Sequence, residues 1–153
     1  NDVEFQIQRI QTERNNLFVM DIQIVSIETS THHYYVTLHS NPHVSPYYQF
    51  ENAANGTIGI PTLYEGMTYT FTRNDSGHPF HIGNTYNANT SGIVITSTGT
   101  GASVNGVNAI VSGESLTFTI PFHYNSIDSG TLMYFCTSHS QMQNTFPIAS
   151  HLS

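Results

Sequence analysis

Apolar and polar residues alternate along most of this chain, and no segment sustains a helical period. Val3 to Gln8 alternates, and so does Val19 to Ile27, where Asp21, Gln23 and Ser26 face the other way. A period of two puts successive side chains on opposite faces of an extended strand, so these runs read as half-buried strands. Tyr34 to Leu38, Thr57 to Leu63, Met67 to Thr72, Ile93 to Thr96, Ser115 to Ile120 and Thr131 to Phe135 repeat the pattern. Turn-forming residues separate them at Asn52 to Gly56, Glu65-Gly66, Asn74 to Gly77, Ser112-Gly113 and Asp128 to Gly130. Short strands spaced by turn signals predict an all-β, two-sheet sandwich. At 153 residues the chain is long enough to bury one core without disulfide help.

Two departures from this rhythm organise the chain. Pro42 and Pro46 bracket a non-repeating segment, so residues 1–46 are expected to be an N-terminal β extension and residues 47–153 the sandwich proper. The extension should pack on the sandwich, because two strands alone cannot bury a core. Asn84 to Gly106 is rich in Gly, Ser, Thr and Asn around a short apolar island, Ile93-Val94-Ile95, and reads as a long loop or loose hairpin.

Charge is scarce. Only 8% of residues are charged, with no Lys, three Arg (Arg9, Arg14, Arg73) and a net charge of −7. A chain without a basic patch has no means of neutralising a phosphate backbone, which excludes nucleic acid as the expected partner. Solubility then falls to hydroxyls and amides, a composition more usual outside cells, and an extracellular, secreted setting is expected. Asn55, Asn74 and Asn89 each begin an N-x-Ser/Thr sequon, a glycan acceptor in a eukaryotic secretory pathway and a chance product of an Asn-rich chain otherwise. No apolar run reaches the roughly 20 residues of a membrane helix, so no membrane span is expected. Val3 to Ile10 lacks the Lys or Pro that guard an edge strand, and it is a candidate for self-association.

The only cysteine, Cys136, cannot form an internal disulfide. A lone Cys is ordinarily a small, buried, inert side chain. Here it ends an aromatic strand, with His139 three residues on and Met142 three further, so a short loop would return all three donors to one point. Thiolate, imidazole and thioether are ligands that copper accepts, and a trigonal Cys-His-His set with a weak axial Met is the blue-copper arrangement. The second His is sought in Gly77-His78-Pro79-Phe80-His81-Ile82. In an extended segment His78 and His81 point to opposite faces, so one of them is expected at the site. Thr137 and Ser138 are candidate donors to the sulfur, where hydrogen bonds tune a metal.

Beyond His78, His81 and His139, six further His residues remain: His32, His33, His39, His43, His123 and His151. His32-His33 and the His39/His43 pair read either as a second metal site or pH-sensitive surface, or simply as a polar residue this chain favours. The plainer reading leads, because no carboxylate or Cys accompanies them at a ligand spacing. Hydrolytic catalysis finds no Gly-x-Ser-x-Gly elbow, and Gly99-Thr100-Gly101 lacks the Lys of a phosphate loop. An enzyme is not expected.

Cys136-Thr137-Ser138-His139-Ser140-Gln141-Met142 resembles the copper loop of small cupredoxins, of the Cys-x2-His-x2-Met kind found in amicyanins and pseudoazurins. Ser76-Gly77-His78-Pro79-Phe80 is similar to the segment that carries their first His, with an echo of the His-Pro-x-His of multicopper oxidases. Gly66-Met67-Thr68-Tyr69-Thr70-Phe71 resembles the strand before it, and Ser115 to Pro121 the strand leading towards the Cys. The resemblance runs from about Tyr47 to Ile148. It implies a Greek-key sandwich, copper as cofactor, His78, Cys136 and His139 as equatorial ligands and Met142 as the axial one. It also implies one-electron transfer, with His139 nearest solvent and facing a redox partner. The alternative expectation is a secreted structural or self-assembling protein, in a matrix, filament or mineral setting, that keeps the fold with a structural or absent metal.

Overall fold

The computed structural model describes residues 10–11, 19–20, 31–53, 56–124 and 130–150. The described residues contain no helix and fifteen strands. In chain order these are β1 (Ile10–Gln11), β2 (Val19–Met20), β3 (Thr31–Leu38), β4 (Tyr48–Asn52), β5 (Gly56–Ile58), β6 (Leu63–Tyr64), β7 (Thr68–Arg73) and β8 (Phe80–Gly83). Then follow β9 (Thr96–Ser97), β10 (Ser103–Val104), β11 (Val107–Asn108), β12 (Ser115–Thr119), β13 (Met133–Cys136), β14 (His139–Thr145) and β15 (Ile148–Ala149). Val3 to Gln8 and most of Val19 to Ile27 lie outside the described residues.

One sheet has six strands in the order β5-β4-β3-β7-β12-β9, and a second has three in the order β14-β13-β8. A short parallel pair, β15 with β6, and the hairpins β10-β11 and β1-β2 complete the inventory. The chain passes from the large sheet at β7 to the small one at β8, back to the large at β9 and β12, and out again to β13. Such crossing makes neighbours of strands far apart in sequence, as in a Greek key.

The alternation seen in the sequence decides which face is inside. Along β7, Tyr69, Phe71 and Arg73 are buried while Thr68, Thr70 and Thr72 are only half so. On β12 Leu116 and Phe118 turn inward. Facing outward, hydroxyls pair across the two strands at 2.7 Å (Thr68–Thr119), 3.0 Å (Thr70–Thr117) and 2.6 Å (Thr72–Ser115). Inward, Phe71 stacks on Phe118 within the large sheet, and Phe50 meets Tyr134 of the small sheet at 5.1 Å. Tyr48 meets Phe80 edge-on at 4.9 Å. Burying each such ring is worth about 1.5–3 kcal/mol, and each aromatic pair adds roughly 0.5–1.5 kcal/mol.

Three features differ from the sequence reading. β3, inside the stretch assigned to an extension, is an interior strand of the large sheet, parallel to β7 and antiparallel to β4. The boundary at residue 46 therefore falls within the sandwich, because β3 finds its partners on both sides of that point. The Asn84 to Gly106 stretch is also no loose insertion. Ile93 and Ile95 are buried in the core with Val94 exposed between them, and Tyr86 packs on Phe135. Finally, His139 to Thr145 is a strand, so Thr137-Ser138 is a tight hairpin turn and not part of a longer loop.

Candidate metal centre

That hairpin builds the first half of the site. Along β13 Tyr134 faces the core, Phe135 the opposite side, and Cys136 the core again, where it is fully buried. Cys136 is paired with Phe80 on one flank and with His139 on the other. Between the pairs Phe135–Gln143 and Cys136–His139, the residues Ser140, Gln141 and Met142 have no opposite number on β13. A bulge of this kind re-aims side chains. Here it lets Met142, fully buried, join the same core cluster as Cys136 although it follows His139 by only three residues.

The second half comes from the turn between β7 and β8. Gly77 and His78 both have positive φ, 79° and 46°. For a non-glycine residue this is an uncommon conformation that persists only where its surroundings over-determine it. They do so through Arg73, whose side chain has no exposure at all. Its Nη1 donates to the His78 carbonyl at 2.9 Å and its Nη2 to the Gly77 carbonyl at 2.9 Å. Asp75 accepts from the same guanidinium at 2.7 Å, and the Tyr48 hydroxyl donates to the His78 carbonyl at 2.7 Å. Burial above all, and then the nearby Cys136 thiol, push the Tyr48 phenol up, so it stays a donor.

The halves meet at the sulfur. Cys136 Sγ lies 3.5 Å from His139 Nδ1 and 3.9 Å from His78 Nδ1, and the three donor atoms all fall within 4.8 Å of one another. Bonds of about 2.3 Å to sulfur and about 2.0 Å to nitrogen, meeting at a trigonal or tetrahedral angle, leave S and N roughly 3.5–3.8 Å apart. The His139 spacing of 3.5 Å falls in that range and the His78 spacing of 3.9 Å lies just above it. Burial lowers the His78 pKa, with His139, His43 and Arg73 acting in the same direction. A neutral imidazole with a free lone pair is the form a metal requires. With a buried Met142 in the same core cluster as Cys136, the available donors are those of copper more than of zinc, which takes Cys, His and carboxylate.

His81 is placed elsewhere. It is buried on the other face of β8, stacked on Phe135, with Nε2 2.9 Å from the Val107 carbonyl and Nδ1 accepting the Ile82 N–H at 2.7 Å. Both nitrogens are spent, and burial lowers its pKa. Thr137 departs from its expected role: its Oγ1 is buried with no hydrogen-bond partner, so it does not donate to the sulfur. Its N–H instead donates to the Pro79 carbonyl at 3.1 Å, joining the Cys hairpin to the His78 turn. Ser138 is exposed on the hairpin turn. Tyr86, not singled out by the sequence, donates its hydroxyl to the Cys136 carbonyl at 2.9 Å. Arg73 was missed too, although its signal is present. The alternation Tyr69, Phe71, Arg73 continues the inward face of β7 to a guanidinium.

Among the sequons, Asn55 lies outside the described residues. Asn74 is exposed. Asn89 is half-buried, and its amide donates to the Ile93 carbonyl at 3.0 Å while its Oδ1 accepts the Ser91 hydroxyl at 2.6 Å. Among the described residues no helix is long and apolar enough to cross a membrane.

No protein-family model matches the sequence, and no curated protein matches it. Among solved structures, a multi-copper oxidase from Pediococcus acidilactici aligns over 86% of this chain at 13% identity and a TM-score of 0.37. The chain spans 29% of the length of that oxidase. A methionine-to-glutamine mutant of rusticyanin aligns over 78% of both chains at 14% identity and a TM-score of 0.34. Its strand order is that of a two-sheet β sandwich, and His78, Cys136 and His139 are brought together where they could hold a metal ion.

Proposed function

We propose that the chain is a one-electron carrier with a mononuclear type 1 copper centre, held by His78, Cys136 and His139 with Met142 as the weak axial ligand. The observation that carries this reading is the thiol flanked by two imidazole Nδ1 atoms at 3.5 and 3.9 Å, with a buried thioether on the same strand as His139. Copper, when bound, would supply the redox couple. The residues supply the rest. Cys136 would give its sulfur from a fully buried position and the two His rings would give nitrogens, while the Arg73 and Thr137 contacts hold the ligand segments against rearrangement. His139, half-buried and flanked by exposed Ser138 and Ser140, is where a redox partner would approach. The role is a carrier's, not an enzyme's, and the hydroxyl-rich, nearly uncharged composition supports an extracellular setting.

The test is an anaerobic titration of the reduced apoprotein with Cu(II), followed by visible absorption and EPR. An intense thiolate-to-copper band with narrow hyperfine splitting, lost in Cys136→Ser, is expected. A folded protein with an accessible thiol and no such band sinks the reading.

A second reading, a secreted self-assembling protein that keeps this fold, is favoured by one observation. The outward hydroxyl ladder of β7 and β12 is a charge-free sheet face suited to hydrogen-bonding contacts. The edge strand Val3 to Ile10, offered for self-association, lies almost wholly outside the described residues. Sedimentation of the purified chain decides: a monomer across micromolar concentrations removes this reading, and a stable oligomer untouched by Cys136→Ser supports it.

A further inference from the structure

One of the remaining His residues is brought to the centre by the fold, although the proposed ligand set does not use it. His43 lies in the 39–47 segment between β3 and β4. Its ring centroid is 5.9 Å from that of His78 and 6.1 Å from that of His139, edge-on to both at 80° and 78°. The two ligand rings are 4.9 Å apart, so the three imidazoles form a nearly isosceles triangle with His43 at its apex.

The segment is pinned by its own hydrogen bonds. His39 N–H donates to the Tyr47 carbonyl at 3.0 Å and Val44 N–H to the Asn41 carbonyl at 3.1 Å. Asn41 Oδ1 accepts the N–H of His43 itself at 3.1 Å. Burial is graded across the group: His43 is exposed, His78 and His139 are half-buried, and Cys136 is fully buried. An ion coming from solvent reaches imidazoles before it reaches the thiol.

We propose that His43 is a loading ligand: it captures the incoming copper ion together with the ligand imidazoles and passes it to Cys136, taking no part in the finished centre. This rests on the copper reading above. The step is a ligand exchange. The bond from the ion to a His43 nitrogen breaks as the bond to Cys136 Sγ forms, the thiol proton leaves to solvent, and no electron is transferred. Imidazole suits copper well enough to hold it on the way, and thiolate binds it more firmly at the end.

The experiment is stopped-flow mixing of the reduced apoprotein with excess Cu(II) under anaerobic conditions, reading the growth of the thiolate-to-copper band. His43→Ala should slow that growth by about tenfold, the size of effect typical when a group adjoining metal ligands is removed. The final band and EPR spectrum should match the wild type. His33→Ala, which removes an exposed His from the outer face of the large sheet, should load at the wild-type rate. Equal rates for wild type and His43→Ala overturn the proposal. So does a changed final spectrum, which would make His43 part of the finished centre. A wild-type protein that develops no band fails at the copper reading itself, and the inference falls with it.

Discussion

Replacing Arg73 by Met probes what holds the His78 turn. The guanidinium makes five hydrogen bonds: two to Asp75 Oδ1 and one each to the carbonyls of Gly77, His78 and Ile110. Their losses are unequal. The Ile110 carbonyl still accepts the Phe80 N–H at 3.0 Å, and the His78 carbonyl keeps the Tyr48 hydroxyl at 2.7 Å. The Gly77 carbonyl belongs to an exposed turn residue, where water can replace the donor. The Asp75 carboxylate keeps the Leu38 N–H at 2.6 Å but loses Arg73 as its ion-pair partner, and its side chain is 33% exposed. Stripping one member from a fully buried ion pair costs about 3–5 kcal/mol, and the water available to Asp75 brings the expected cost of Arg73→Met to about 2–4 kcal/mol. In a domain of this size that corresponds to roughly 5–15 °C in Tm. Urea unfolding of the apoprotein is the right assay, because bound metal would raise stability by mass action and mask the difference. The same variant loaded with copper should show a displaced thiolate-to-copper band, since His78 loses the anchor of its positive-φ backbone. Adding Asp75→Asn should recover at least ~1 kcal/mol if the unpaired carboxylate dominates. An Arg73→Met protein within ~1 kcal/mol of wild type and with an unchanged spectrum would refute the positioning role.

Two further substitutions separate ligands from their neighbours. His81→Phe should keep the ring stack on Phe135 but remove the partner that His81 gives to both the Val107 carbonyl and the Ile82 N–H, costing about 1–3 kcal/mol at neutral pH with the copper band intact; loss of the band would put His81 in the site. The same residue predicts a pH effect. Its folded pKa is depressed, so its contribution to stability is present above the unfolded value of about 6.5 and is lost as pH falls through the lower folded value. Apoprotein stability should therefore decline on the acid side of about pH 6.5, less steeply in His81→Phe, and equal slopes would contradict the burial argument. Met142→Leu conserves volume and should cost under about 1.5 kcal/mol while shifting the copper band, whereas an unshifted band would remove Met142 from the ligand set.

What the sequence disclosed depended on how far each feature reaches along the chain. Strands were legible from alternation, because Tyr69, Phe71, Leu116 and Phe118 carry their burial in their own spacing. Cys136, His139 and Met142 were legible as a group because their chemistry is specific and only seven residues span them. The strand from His139 to Thr145 was not. Ser140, Gln141, Gln143 and Asn144 offer no alternation, and the segment extends because the buried edge of β13 pairs with it. β3 carried its alternation openly, but its place beside β7 depends on pairing Thr31 to Val36 with Thr68 to Arg73, which no local pattern announces. That same pairing has a consequence at the site. The chain that leaves β3 must turn over the end of the sandwich to return as β4, and the turn holds His43 above His78 and His139. An imidazole that reads as one more polar residue in sequence thus gains chemical meaning from a strand pairing. Residues whose role depends on distant pairing, Arg73 and His43 above all, are therefore where structure adds most to a reading of this chain.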